Sequence, residues 1–194
     1  EGEDLLQTSA MNYYEGLTQA EAEAYYNSIT DANDTTPISY GLNSKLVKEG
    51  GKAVEKVYKV GGMYSAAIEQ IVYWLEKAAG VADATQRPII EKLIEYYRTG
   101  DLESFDEFNI LWVQDTDSNV DVVNGFIENY GDPLGIKSSW EGIVNYRDEK
   151  ATERTRIISA NAQWFEDHSP IDPKFRKPEV KGISAKVINN AILA

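Results

Sequence analysis

Residues 120–135 read VDVVNGFIENYGDPLG and thread acids and amides through an apolar run. Asp121 and Glu128 carry carboxylates that could move a proton or meet a cation, and Asn124 and Asn129 can hydrogen-bond a ligand. Glu128 and Asp132 could flank a site, as the paired carboxylates of glycosidases do. That signal is weak, because with 32 acidic residues some pair always looks suggestive. The single histidine, His168, excludes the helical H-E-x-x-H zinc grip. In FEDH (165–168) three ligand types stand side by side, but consecutive residues do not converge on one ion, so a surface-loop histidine is the reading. With no cysteine, disulfides, thiol catalysis and thiolate metal sites are absent, and the redox compartment stays open. No G-x-S-x-G elbow and no Walker or Rossmann glycine pattern occurs.

Binding remains as the chemistry of the 120–135 stretch. Read as a strand, it puts Asp121, Val123, Gly125 and Ile127 on one face and Val122, Asn124, Phe126 and Glu128 on the other. Gly125 leaves a bare patch where another backbone can approach. Such a strand could pair with an extended peptide through its main chain while the acid receives the terminal ammonium. The other reading is a barrel strand whose polar groups satisfy neighbouring loops.

Several elements must position that strand. Thr18 and Glu21 form a capping-box signature for a helix running to about Ile29, and DANDTTP (31–37) is a loop. Residues 43–62 read as two strands closed by Gly50-Gly51, with a helix as the alternative. Tyr64, Ala67, Ile68, Ile71, Val72 and Leu75 mark an amphipathic helix over 63–79. A second helix covers 86–99, with Pro88 in its first turn. A third begins after TGD, with Ser104 and Glu107 as a capping box and Phe108, Leu111 and Trp112 inward. The pattern then shifts toward period 2: a strand to Tyr130, the turn GDPLG, and a neighbouring strand over 138–146. A helix over 148–166 capped by Asp148, an extended proline-rich loop, and a closing strand in GISAKVINNAILA complete the chain.

The 194 residues are 42% hydrophobic and 11% aromatic, enough for one sizeable core or two small ones. Twelve Tyr and four Trp also suit a cleft wall. A net charge of −13 makes nucleic acid and anionic membrane surfaces poor partners. It favours cationic or amine-bearing ligands only weakly at physiological salt, and solubility accounts for it better. No apolar run approaches the roughly 20 residues that cross a bilayer. Opening on EGED without Met and stopping within an apolar run, the chain reads as part of a longer polypeptide. Its expected location is cytoplasmic, with a removed upstream signal segment left open.

The stretches NGFIENYGDPLG, NAQWFEDHSP and KGISAKVINNAILA resemble the dipeptidyl peptidase III family, in particular its bacterial branch. YYEGLTQAEAEAYYNSI, SKLVKEGGKAVEKVYK and GDLESFDEFNILWVQ are similar to family segments in the same order, so the likeness covers nearly the whole chain. The resemblance implies a zinc metallopeptidase that removes dipeptides from peptide N-termini. It implies two lobes around a cleft, one carrying zinc on an H-E-x-x-x-H helix and the other holding a β-barrel whose edge pairs with substrate. This chain is similar to the barrel-side part, so the zinc and the catalytic groups belong to a missing C-terminal lobe, and no metal ligand or catalytic residue is expected here. By that resemblance Asp121 binds the substrate amine and Gly125 lies on the same strand. Val123 stands where animal members have a peptide-bonding tyrosine, and Asn124 where they have an apolar residue.

The expected fold is α+β. A helical layer over 63–114 packs on a mostly antiparallel, partly open β-barrel-like sheet from 43–60 and 119–194, the whole forming a single substrate-binding lobe. The expected partners are an oligopeptide substrate, the missing lobe and, through an open sheet edge, a second copy. The alternative function is a non-catalytic peptide- or protein-binding module using that edge. A self-contained acid-based hydrolase would need a convergent carboxylate pair.

Overall fold

Alternating Val54, Lys56 and Tyr58 and the adjacent glycines at 50–51 produce a hairpin. In a computed structural model, which describes residues 2–182 and 185–194, β2 (Ser44–Glu49) pairs antiparallel with β3 (Lys52–Val57), with Glu49 opposite Lys52. Gly50 (φ 56°) and Gly51 (φ 80°) both sit in the left-handed region, as the tightest hairpin turn requires, which rules out the helical alternative. Ahead of the hairpin lie α1 (Leu5–Thr8), the short β1 (Tyr14–Glu15) and α2 (Gln19–Ile29). β1 adds to β2 in parallel, a pairing two residues long that leaves no periodicity to read. The Thr18 hydroxyl accepts from Glu21 N at 3.3 Å while the Glu21 carboxylate accepts from Thr18 N at 3.0 Å, the reciprocal box the spacing predicts.

Three helices follow: α3 (Ser65–Val81), α4 (Gln86–Thr99) and α5 (Leu102–Gln114). α4 packs on both its neighbours and buries Leu93, Ile94, Tyr96 and Tyr97. The Phe105 ring of α5 stacks on Tyr96 at 4.5 Å. The start of α5 differs from the expected box. Asp101 is the cap, its carboxylate accepting from Glu103 N and Ser104 N at 3.3 and 3.2 Å, and Ser104 lies inside the helix, its hydroxyl also turned to Asp101. The acceptor immediately before the first turn outcompeted one three residues later, since a cap must precede the free N–H groups.

β4 (Val120–Glu128), β5 (Ser139–Arg147) and β6 (Ile188–Leu193) form a second three-stranded sheet in the order β4-β5-β6. The single barrel-like sheet expected from sequence is therefore corrected: among the described residues there are two separate sheets, β1-β2-β3 and β4-β5-β6, and no closed barrel. The hairpin takes its third strand from the short β1 rather than from β4. β5 and β6 are antiparallel, with a register shift at Val144/Asn145. The helix expected over 148–166 is two helices, α6 (Glu149–Ala160) and α7 (Ala162–Asp167), broken at Asn161; Asp148 caps α6 as expected. The proline-rich loop contains one turn of 3-10 helix, Pro173–Phe175. Of the closing stretch predicted as strand, Ile183 and Ser184 lie outside the described residues. No helix among those described is long and apolar enough to cross a membrane.

The chain divides into two units, Glu1–Ser118 with Gly125–Glu141, and Asn119–Asn124 with Gly142–Ala194. In the first, one core gathers around α3–α5 and a smaller one joins Leu17, Ala22, Tyr26 and Leu46. The second is held by hydrogen bonds: Thr152 Oγ1 accepts from Val187 N at 3.0 Å, and Asp148 N donates to Val187 O at 2.8 Å. All the fully buried hydrophobic side chains among the described residues belong to the first unit.

A polar knot ties the smaller core to the loop between β4 and β5. Asp132, 5% exposed, accepts from Tyr14 Oη at 2.8 Å and from the backbone N–H groups of Ile136 and Lys137 at 2.8 and 2.7 Å. The Lys137 ammonium is sealed from solvent; it donates to Ser44 Oγ at 2.7 Å, to Gly41 O at 3.2 Å and to the Tyr26 hydroxyl, with Glu55 at 3.4 Å. Burial pushes Lys137 down to about 8 from its usual 10.5, with Glu55 opposing the shift. A lowered lysine makes the unfolded chain bind the proton more tightly, so its contribution is full above pH 10.5 and lost as pH falls through 8. Burial raises the Tyr14 and Tyr26 hydroxyls, which opposes that gain above roughly pH 10. Urea unfolding should therefore show stability rising between about pH 8 and 10, with a slope below about 1.4 kcal/mol per pH unit. Lys137→Met should flatten the rise; a wild-type profile already flat there contradicts this account.

Candidate functional site

Asp121, Val123 and Asn124 stand on β4 within the second unit, and all three are half-buried. β4 has β5 as its only strand neighbour among the described residues, so it is an edge of its sheet. Sheet edges are where an added strand can pair. Gly125, in the first unit, is buried. A Cβ added there would sit 2.9 and 3.0 Å from the Cε2 and Cζ of Phe105. The bare patch expected at Gly125 is thus filled from within by a ring of α5, a packing partner twenty residues back that no local pattern could reveal.

The paired-carboxylate candidates separate. Asp132 is consumed by the knot, which leaves it no role in a site. Glu128 instead lies against Glu141 of β5, whose carboxyl is raised by burial first and by the like charge of Glu128 second. Both residues are only half-buried strand positions, and neither lines the pocket of the first unit.

That pocket has a volume of about 520 Å³ and is walled by rings, among them Tyr13, Tyr58, Phe126 and Trp140. Tyr58 and Phe126 meet at 4.7 Å between centroids, and Trp140 Nε1 donates to Tyr97 Oη at 2.9 Å. Burial raises the Tyr13 and Tyr58 hydroxyls, so both stay protonated and neutral near pH 7. At the mouth stands Tyr64, 58% exposed, the one non-glycine residue among those described with positive φ (58°). Its neighbours hold it there: Met63 N donates to Val57 O at 3.0 Å, and Tyr64 O accepts from Ala67 N and Ile68 N, both at 3.0 Å. The pocket draws on segments 11–13, 58–71, 126 and 138–140. The twelve tyrosines were its only sequence signal, because spacing cannot join residues so far apart.

Among the described residues, no three His, Cys, Asp or Glu side chains converge to hold a metal. His168 stacks on Trp164 at 4.3 Å, with Nδ1 2.7 Å from the Trp164 carbonyl oxygen, and is exposed on one side of a helix end. The residues present do not fit a zinc site.

The sequence model of peptidase family M49 matches residues 7–182. The chain belongs to this family. Dipeptidyl peptidase 3 of Homo sapiens is 30% identical over 117 residues, 60% of this chain and 16% of the human protein. Among solved structures, dipeptidyl-peptidase III from Corallococcus sp. strain EGB superposes with a TM-score of 0.62 at 26% identity, covering 94% of this chain and 34% of that one. DPP III from Caldithrix abyssi superposes with a TM-score of 0.66 at 21% identity, again over 94% and 34%, which shows the shared fold. The α+β arrangement of two small sheets with helices is thus that of part of an M49 protein, and this M49 chain spans about one third of the family structures it matches.

Two consequences can be measured. Gly125→Ala should cost about 1–3 kcal/mol, because Phe105 cannot retreat from a packed core. Chemical denaturation reads the loss, and a cost near zero would mean the ring is not held against the strand. Tyr64→Gly should be more stable than Tyr64→Ala by about 1 kcal/mol, since both remove the ring and only glycine accepts φ 58° freely. Equal melting curves would contradict the strain.

Proposed function

We propose that this chain is the substrate-binding lobe of a zinc-dependent dipeptidyl peptidase. An oligopeptide adds along β4, its N-terminal ammonium beside Asp121, with Val123 and Asn124 flanking the main-chain pairing and Gly125 continuing the strand. Membership in peptidase family M49 and the relatives' names support the peptide substrate. The observation that carries the reading is the position of β4 at the edge of its sheet with a half-buried carboxylate on it. A half-buried carboxylate meets an ammonium with less solvent screening than a fully exposed one does.

The zinc and the catalytic groups belong, in this proposal, to a further lobe of the parent protein. This chain's share of the work is to fix the N-terminus so that a cut falls two residues in, which is a matter of orientation. The second reading is a non-catalytic peptide- or protein-binding module on the same edge. It rests on the same observation as the first reading, the place of β4 at the edge of its sheet. A second copy pairing along the same edge would have to do so against the like charges of Asp121 and Glu128, and light scattering at high concentration detects that state.

A titration followed by nuclear magnetic resonance separates these readings from simple stickiness. Penta-alanine with a free amine should bind about fivefold more tightly than its N-acetylated form, the effect of roughly 1 kcal/mol from a half-screened charge pair. Asp121→Ala should erase the difference. Equal binding of the two peptides by the wild-type chain would remove the role given to Asp121. With zinc added, the 194-residue chain should release no dipeptide from a dipeptidyl arylamide. Release would place the catalytic metal in this chain after all.

A further inference from the structure

The aromatic pocket of the first unit is not accounted for by main-chain pairing along β4. At about 520 Å³ it falls in the size range of sites that enclose a small organic group. None of the side chains lining it is charged. An ion entering it would lose hydration with no opposite charge to meet, so the lining selects against charged groups. Rings supply most of the wall, and their existing contacts show the geometry a guest ring would join: Tyr58 with Phe126 at 4.7 Å and 41°, Tyr58 with Tyr64 at 5.2 Å and 50°. Tilted arrangements at such centroid separations are those that aromatic pairs prefer.

The walls are also held in place before any guest arrives. Trp140 is fixed through its indole N–H to Tyr97, and Ser138 Oγ donates to Leu42 O at 2.8 Å. Tyr64 is held in a left-handed backbone conformation that a bulky residue adopts only under constraint, and its ring remains 58% exposed at the mouth. An exposed ring kept at the expense of backbone strain, above a rigid uncharged cavity, is a feature that folding alone does not require. Asn12 and Ser139 supply polar groups in the same lining, suited to an indole N–H or a phenol O–H.

We propose that this pocket binds an uncharged aromatic group, and that its occupant is the side chain of a Phe, Tyr or Trp residue in a peptide. The peptide as occupant rests on the function proposed above; the recognition of a ring rests on the pocket alone. The recognised unit is a neutral ring with at most one hydrogen-bonding edge.

The test uses the intact chain, labelled with nitrogen-15, and three capped amino acids: N-acetyl-tryptophanamide, N-acetyl-leucinamide and N-acetyl-lysinamide. The tryptophan probe should give saturable shifts at the Tyr64, Ala67 and Ser139 amides with a Kd of the order of millimolar, and bind about tenfold more tightly than the lysine probe. Leucine should fall between them. Ala67→Trp, at an exposed helix position in the lining, should plug the pocket and abolish those shifts while leaving the circular dichroism spectrum unchanged. Should that variant misfold, Tyr64→Gly, which removes one wall ring and relaxes the backbone, should weaken the tryptophan probe at least about fivefold. Three results overturn the proposal: no saturation by the tryptophan probe up to about 20 mM, equal binding of the lysine probe, or undiminished binding in a folded pocket variant. Because the tryptophan and leucine probes carry no amine, Asp121→Ala should bind those two as wild type does. A failure of the pocket is thereby distinguished from a failure of the docking edge.

Discussion

A lysine ammonium shut away from water must be answered by acceptors on every side, and Lys137 imposes that demand on the first unit. Its acceptors come from α2, from the turn before β2, and from both strands of the hairpin: Tyr26, Gly41, Ser44 and Glu55. A loop that ends in such a lysine can close only when all of those segments are already in place. Asp132 performs the complementary duty within the same loop, gathering the Tyr14 hydroxyl and two backbone N–H groups. Removing the Glu55 carboxylate, the ion-pair partner of Lys137, would leave that buried ammonium poorly answered, which costs several times what an exposed pair contributes. The loop of the GDPLG stretch is therefore a fixed connector, and Ser138 and Trp140, which line the pocket, follow directly from it.

Periodic features were legible and singular ones were not. The stripes Ile68-Val72-Leu75 and Ile89-Leu93-Ile94-Tyr97 announced their helices because burial repeats every turn. The adjacent glycines announced the hairpin because the turn demands their backbone angles. By contrast, Lys137 looks like any surface lysine, since what buries it arrives from residues 26 to 55. Asn161 breaks a helix in a run that reads as continuous, and a two-residue β1 leaves no pattern at all. The barrel expectation failed on a question of partners: strands can be recognised singly, but which strand lies beside which depends on contacts across the whole unit. The candidate site was half legible for the same reason. The polar residues of β4 stood out in an apolar run, whereas the rings of the pocket meet only in three dimensions.

Membership in peptidase family M49 changes how these features are weighed without altering their geometry. The chain spans about a third of the family structures it matches, and it carries an edge strand and a pocket but no convergent metal ligands among its described residues. Recognition and bond cleavage need not be encoded in the same stretch of polypeptide. The second unit shows a related economy, with hydrogen bonds at Thr152 and Asp148 in place of a buried apolar core.

The acids on β4 have one more effect. A sheet margin such as β4 is a hazard to any protein kept at high concentration, because identical strands can pair there. Asp121 near one end and Glu128 at the other put like charges on every copy, in a molecule already carrying −13. Stacking copies along that margin brings those charges together, whereas a guest bearing a positive terminus meets no such penalty. Under the proposed docking role the same carboxylates would be gatekeepers, favouring a strand with a positive terminus over the protein's own.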